Sequence, residues 1–391
     1  MRREWDAIVV GLVGLGSAAA YWLSRRLGER VLGLEQFELG HHRGASSDHS
    51  RIIRLSYHRP DYVRLARRAY DTWAEFEADA GVRIVTRTGG LDLFPPGAVI
   101  AEADYASSMA AEGVPFERLD AAETMHRFPA WRLDDGTTVL HQADAGIADP
   151  YRANAAHQRR ARELGATLLE RTRVRAVRDA GGEIDLLLDD GSSHRAGRVI
   201  LAADAWTNDL LASVDLKLPL TVTREQVTYF EPLRPDDFHA DRFPIWIWMD
   251  EPSFYGFPTY GEPGPKAGED VGGLETTAET RSFEPDVAGL LRLRAILDRH
   301  LPGMAGREIL TKTCLYTLTP DRDFVVDRLP KLPAITVLLG AAHGFKFASL
   351  LGRIAAELAI DGVTEAAADI AAFGIDRPIL RDTAPSTSFL V

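Results

Sequence analysis

Three stretches of this chain carry residue types whose spacing points to chemistry. In the first, Ala7-Ile8-Val9-Val10 leads into Gly11-Leu12-Val13-Gly14-Leu15-Gly16 and then Ser17-Ala18-Ala19-Ala20-Tyr21-Trp22-Leu23. An apolar β-branched run, a glycine turn and a run of good helix formers predict strand, tight turn and helix. Val31-Leu32-Gly33-Leu34-Glu35 follows as a second parallel strand ending in an acid. This is the layout of a dinucleotide site, in which the helix N-terminus faces a pyrophosphate and the acid accepts hydrogen bonds from a ribose. Val13 stands where the middle glycine of Gly-x-Gly-x-x-Gly belongs. Its branched side chain works against the close backbone approach which that glycine serves.

The second stretch is the polar loop from His41 to Ser50, followed by Arg51-Ile52-Ile53-Arg54, dense in groups able to meet a ligand. The third, Gly340-Ala341-Ala342-His343-Gly344-Phe345-Lys346, lies between a strand and the final helix and repeats the grammar of the N-terminus. Both ends of the chain are therefore expected at one ligand. Between them, Lys266 is the one lysine of a glycine-rich loop from Gly261 to Gly273, and Cys314 is the only cysteine. Residue type alone gives each a plain reading. Cys314 is a small buried hydrophobe, Lys266 a solvated loop lysine, Arg54 and Lys346 surface ion-pair members, and His343 a packed or titrating histidine.

The elements that must position these residues follow from periodicity. Asp61 to Ala80 and Tyr151 to Gly165 read as amphipathic helices, the latter ending on its glycine. Val82 to Phe94 alternates like strands up to Pro95-Pro96-Gly97. Leu168 to Val177 and Ile184 to Leu188 form an expected strand pair, with a further strand at Val199-Ile200-Leu201. Tyr229 to Tyr260 is aromatic and β-rich. A helix from about Pro285 to His300 precedes strands around Thr311 to Thr317, Phe324 to Asp327 and Ile335 to Gly340. With no tandem repeat and no low-complexity linker, two interleaved domains are expected, the aromatic middle forming the second.

Composition sets the outer bounds. The 391 residues, 46% hydrophobic and 26% charged, suffice for two packed cores. A net charge of −12 argues against nucleic acid or an anionic membrane as partner. No apolar run reaches bilayer length. One cysteine precludes an internal disulfide and suits a reducing cytoplasm. Met1-Arg2-Arg3 before an apolar run, with Ala18-Ala19-Ala20, also fits a secretory leader, although Glu4 and Asp6 interrupt its basic end and the helical pattern continues to Arg25 and Arg26.

Five segments in order resemble the monomeric sarcosine oxidase and N-methyltryptophan oxidase group of flavin amine oxidases, over nearly the whole chain. They are the opening turn, Ser50-Arg51-Ile52-Ile53-Arg54, Tyr255-Gly256-Phe257-Pro258 with Lys266 downstream, Cys314-Leu315-Tyr316-Thr317, and His343-Gly344-Phe345-Lys346-Phe347. The resemblance implies a mixed α/β (α+β) fold. An FAD-binding Rossmann-like domain (1–85, 145–215 and 320–391) would be interleaved with a β-rich substrate-binding domain (86–144 and 216–319). Implied cofactor contacts are Gly11, Val13, Gly14, Leu15, Gly16, Glu35, Gln36, Ser46, Ser50, Arg51, Val174, Ala203, Trp206, Cys314, Gly344, Phe345 and Lys346.

The same resemblance implies roles. Cys314 would form a thioether to the flavin 8-methyl carbon, making FAD covalent, with Arg51 assisting the thiolate. Lys266 would lie beside flavin N5 and activate oxygen, since a fixed ammonium stabilises the anion that develops on it. Arg54 and Lys346 would hold the substrate carboxylate, which favours an amino acid over a simple amine. Arg51, Tyr255, Tyr316 and His343 would line the reacting cavity. The chain departs from the group at Asp204, at Ser47-Asp48 where relatives carry histidine and glycine, and at Asp270 where sarcosine oxidases place histidine.

The implied reaction is oxidation of a secondary amino acid to an imine, with dioxygen reduced to hydrogen peroxide. The substrate would be N-methylated like sarcosine, or cyclic like pipecolate or proline. Other readings are a dehydrogenase of the same fold, a tailoring oxidase acting on a larger amine, since Trp246, Trp248 and Asp270 would be consistent with a bulkier or basic substrate, or a flavoprotein without turnover, given Val13 and Asp204. A cytoplasmic monomer is expected, with no metal.

Overall fold

The computed structural model describes residues 4–382 and 384–388. Its opening strand, Glu4–Val10, runs parallel to Val31–Leu34 on one side and to Ser193–Leu201 on the other. Between the first two strands lies the helix Gly14–Leu27, so the predicted strand, turn and helix are present as read. Eight strands complete this sheet. Thr167–Leu169 flanks Val31–Leu34, while Ile335–Leu339 pairs in parallel with Ser193–Leu201 and brings the C-terminal segment beside the opening strand.

The Ala18-Ala19-Ala20 run is a helix contact. All three residues are fully buried. The final helix, Ala348–Asp361, crosses them at Gly352, where an added Cβ would come within 2.6 Å of Ala18 Cβ and of the Ala19 backbone nitrogen. Small residues on both helices permit this close approach, which ties the two ends of the chain together.

A second sheet of nine strands holds most of the aromatic middle. Thr221–Phe230 pairs antiparallel with Glu308–Leu318 along almost its whole length. On its other edge it takes Lys266–Asp270, which pairs in turn with Ser253–Phe257. Lys266 therefore begins a strand and is not in a loop. Glycine-rich sequence suggested a turn, but ladders on both sides satisfy the backbone of Ala267 and Gly268. Trp246 and Trp248 are buried in the core of this sheet, with Trp131 edge-on to Trp246, and neither lines the cavity described below.

The remaining expectations differ mainly at boundaries. The first long helix is Pro60–Ala80, closed by Gly81 in the left-handed region at φ 63°. Val82 to Phe94 divides between two sheets. Val85–Arg87 joins a three-stranded sheet with Arg51–Ile53 and Gly146–Ala148, and Gly90–Phe94 joins the nine-stranded one. The helices Glu102–Ala111 and Ala121–Arg127 lacked the length for a clear periodic signal.

Candidate active site

The opening turn is built on close contacts. Gly11 sits at φ 88°, and a Cβ on Gly16 would lie 1.9 Å from the Gly11 carbonyl oxygen, so neither position admits a side chain. Val13, by contrast, has an extended backbone (φ −103°, ψ 170°) and caps the helix without strain. Its side chain is on the wall of the cavity described below, so the crowding expected from sequence concerns the ligand and not the fold.

Glu35 ends the second strand buried, with Oε2 accepting from the Leu12 amide at 2.9 Å and Oε1 from the Phe37 amide at 3.1 Å. His41 Nε2 stands 3.4 Å from Oε1. These bonds fix the carboxylate, and the lone pairs left over suit ribose hydroxyls.

One cavity gathers most of the residues the sequence singled out. Gly11, Val13, Leu15, Glu35, Gln36, Ser46, Val174, Ala203, Trp206, Gly344 and Phe345 line it. So do Arg51, Arg54, Tyr255, Asp270, Tyr316, His343 and Lys346. Gly14, Gly16, Ser50, Lys266 and Cys314 are not on its wall. Gly14 packs under Ser46, whose Oγ would meet an added Cβ at 2.4 Å. Cys314 lies on the same strand as Tyr316 and, two residues earlier, on the same face.

The cations of the wall fall into two kinds. Arg54 donates to Asp92 Oδ1 at 3.0 Å, with both side chains buried. Lys346 has no carboxylate at ion-pair distance among the described residues, and Arg54 and Lys346 approach the same Tyr57 ring, at 5.1 and 5.8 Å from its centroid. Burial, with Arg54 adding to it, pushes Lys346 down to about 7. Arg51 gives its donors to three carbonyls, of Ser50, Ala45 and Ser47, at 2.7 to 2.8 Å. It thus carries positive charge into the cavity with no acid at ion-pair distance among the described residues.

Burial shifts the other titratable groups of the site. Cys314 is pushed up to about 11 by burial, which outweighs the lowering by Arg51, so the thiol keeps its proton at neutral pH. Asp204, at φ 46° where a glycine was expected, lines the cavity and is raised to about 6 by burial. His343 lies with Nε2 at 2.7 Å from the Arg322 carbonyl, an acceptor only, so Nε2 carries the hydrogen. Burial and then Lys346 hold this histidine well below its usual range, so it is a neutral group that steadies the backbone of Arg322.

Arg322 is the residue that sequence reading missed. It lines the cavity with its side chain 2% exposed, sits at φ 59°, and donates to Asp270 Oδ2 at 2.8 Å. Nothing in Thr319-Pro320-Asp321-Arg322-Asp323 sets it apart from the acidic and basic residues of an ordinary turn. Asp92, the partner of Arg54, was equally silent within its strand. Asp48 was noted only as a departure, yet it accepts from Lys266 Nζ at 2.8 Å.

Comparison with known proteins agrees with this geometry. A monomeric sarcosine oxidase of Streptomyces avermitilis is 35% identical over 377 residues, covering 93% of this chain and 96% of that protein. The human peroxisomal sarcosine oxidase is 31% identical over 380 residues (95% and 96%), and an N-methyl-L-tryptophan oxidase of Yersinia pestis is 28% identical over 382 (96% and 99%). Among solved structures, the open form of an unusual amino acid oxidase essential for nikkomycin biosynthesis superposes with a TM-score of 0.85 at 27% identity, covering 99% of both chains. Residues 6–358 match the family model described as FAD dependent oxidoreductase. With most of its length inside that match, and one cavity lined both by the opening turn and by Arg54 and Lys346, the chain belongs to the FAD dependent oxidoreductase family.

Proposed function

We propose that the chain oxidises a secondary amino acid, N-methylated or cyclic, to its imine, and that dioxygen is the acceptor, giving hydrogen peroxide. The observation that carries this reading is the meeting of Arg54 and Lys346 on the wall that also holds Glu35 and the opening turn. The residues present fit FAD. Gly11 and Gly16 let the turn pack tightly at the N-terminus of the helix Gly14–Leu27, where a pyrophosphate would sit, and Glu35 offers a fixed carboxylate to the ribose. When bound, FAD supplies the two-electron acceptor.

The protein supplies position and charge. Arg54, held by Asp92, and Lys346 bind the substrate carboxylate, each charge-assisted hydrogen bond contributing about 1.5 to 3 kcal/mol in a closed site. Ile247, Met249 and Phe257 give the wall an apolar surface that excludes water from the amine. The amine must lose its proton to react, and the cations around it favour the neutral form. Tyr255 and Tyr316, both held protonated by burial, offer hydroxyl donors and carry no charge. Cys314, one strand step from the wall, is the group that would tether FAD as a thioether, and Lys266 is the ammonium that would favour reduction of dioxygen.

The reading is tested by mixing the protein anaerobically with a panel of N-methyl and cyclic amino acids. Bleaching of the flavin spectrum identifies the substrate, and peroxide formed on readmitting air separates an oxidase from a dehydrogenase. Acid precipitation tests the tether. Flavin that stays with the pellet supports attachment through Cys314, and complete release refutes it.

A further inference from the structure

We propose that Asp48, Lys312 and Glu262 form a proton path joining the buried Lys266 ammonium to solvent, with Asp48 the residue that positions Lys266 and passes the proton. The inference rests on the oxidase reading and deepens it, by saying how a closed site obtains protons. Lys266 Nζ donates to Asp48 Oδ2 at 2.8 Å and to the Ser50 carbonyl at 3.0 Å. Asp48 Oδ1 accepts from Lys312 Nζ at 2.9 Å and from the Tyr229 hydroxyl at 2.7 Å. Lys312 Nζ donates onward to Glu262 Oε1 at 2.8 Å.

Exposure rises along this series. Lys266 is 1% exposed and Asp48 4%, whereas the side chains of Lys312 and Glu262 are each 26% exposed. A buried ion pair needs only its partner, so four alternating bases and acids reaching from the interior to water call for another explanation. Asp48 also holds φ 88°, so the fold keeps a carboxylate here at a backbone cost. At the inner end, the Ser50 carbonyl that accepts from Lys266 also accepts from Arg51 Nη1 at 2.8 Å, and Arg51 is on the cavity wall. Phe257, another wall residue, has its ring centroid 4.4 Å from Lys266 Nζ.

The step balances without a further reagent. Reducing one dioxygen to hydrogen peroxide takes two electrons and two protons. The electrons and one proton come from the reduced cofactor, and the second proton leaves Lys266 Nζ. The neutral amine regains a proton from Asp48, which takes one on Oδ1 from Lys312 and delivers it after a half-turn of its carboxyl. Lys312 is reprotonated from water by way of Glu262. The charged and titratable groups facing Lys266 are Asp48, Arg51, Lys312, Tyr229 and Cys314. Burial, opposed by Asp48, leaves Lys266 at about 8, within reach of proton exchange near neutrality.

The test uses the FAD-loaded protein, with stopped-flow reoxidation by dioxygen and carbon-13 NMR of labelled lysine side chains followed against pH. In the unsubstituted chain, reoxidation should fall as pH rises through the Lys266 titration. Asp48→Asn should move both the reoxidation midpoint and the Lys266 titration to lower pH by about one unit or more, because burial and Arg51 then act unopposed. Lys312→Met should slow reoxidation, enlarge its solvent deuterium effect, and be rescued by added methylamine, while reduction by substrate keeps its rate. An unmoved Lys266 titration in Asp48→Asn overturns the proposal, as does unaltered reoxidation in Lys312→Met. Should Asp48→Asn fail to fold, Lys312→Met, altered at a part-exposed side chain, decides alone. If no amino acid bleaches the flavin, it is the oxidase reading that fails, and the Lys266 titration still judges the path.

Discussion

Arg322 donates to Asp270 at 2.8 Å inside the cavity, although the two residues lie 52 positions apart in the chain. The guanidinium is almost wholly enclosed and the carboxylate is about one quarter exposed. Asp270 is thus held on the cavity wall as a fixed carboxyl group. Swinging away would cost it the charge-assisted bond to a buried cation. Asp270→Asn should lower unfolding stability by about 1 to 3 kcal/mol, measured by urea denaturation, and should reorder preference among the amino acids of the panel.

Arg54 and Lys346 predict a pH profile. Lys346, pushed down to about 7 by burial and Arg54, must be charged to attract a carboxylate, so this contribution is present below that value and is lost as pH rises through it. The substrate amine must be neutral, and that contribution grows with pH. kcat/KM should therefore be bell-shaped, and Lys346→Met should remove its alkaline limb while raising KM by about 10-fold or more. Steady-state kinetics across pH 6 to 10, about the range in which both groups titrate, checks both.

A share of the fold's acid sensitivity should trace to His157. Its ring is fully buried and stacked on Phe76 at 3.9 Å between centroids, and burial pushes it down to about 3. The unfolded chain takes up a proton on this ring below its ordinary value of about 6.5, whereas the folded one does not. The stability it contributes is complete above that ordinary value and is lost as pH falls from there toward 3. Between pH 6.5 and 5 the share from His157 is about 2 kcal/mol, and His157→Leu should reduce the acid-induced loss by that amount. Urea unfolding of both proteins at the two pH values gives the difference directly.

Two substitutions in the opening turn should separate fold from ligand. Gly16→Ala places a Cβ against the Gly11 carbonyl oxygen and should prevent both correct folding of the turn and FAD uptake. Val13→Gly relieves only the cavity wall, so the protein should fold as before and take up FAD faster, followed by quenching of flavin fluorescence on mixing with cofactor-free protein.

The local chain determined a good deal by itself. Strand, turn and helix at the N-terminus and Glu35 closing the second strand were legible because each depends on residue type within a short window, whereas Arg54 and Lys346 were singled out only by the family resemblance. Long elements of clear period were also legible. The glycine-rich run around Lys266 was not, since only the ladders on either side make it a strand.

Tertiary structure decided which charges face one another. Lys266 meets Asp48 across 218 residues, Arg54 meets Asp92 across 38, and His343 meets the Arg322 carbonyl across 21. No periodicity records such pairs, because they arise from sheet register and from the burial that makes an unpartnered charge costly. The sequence by itself determined which chemical groups are present and which family turn would hold the dinucleotide. Only the packing of the two sheets determined which of those groups stay charged, which are neutral, and which reach water.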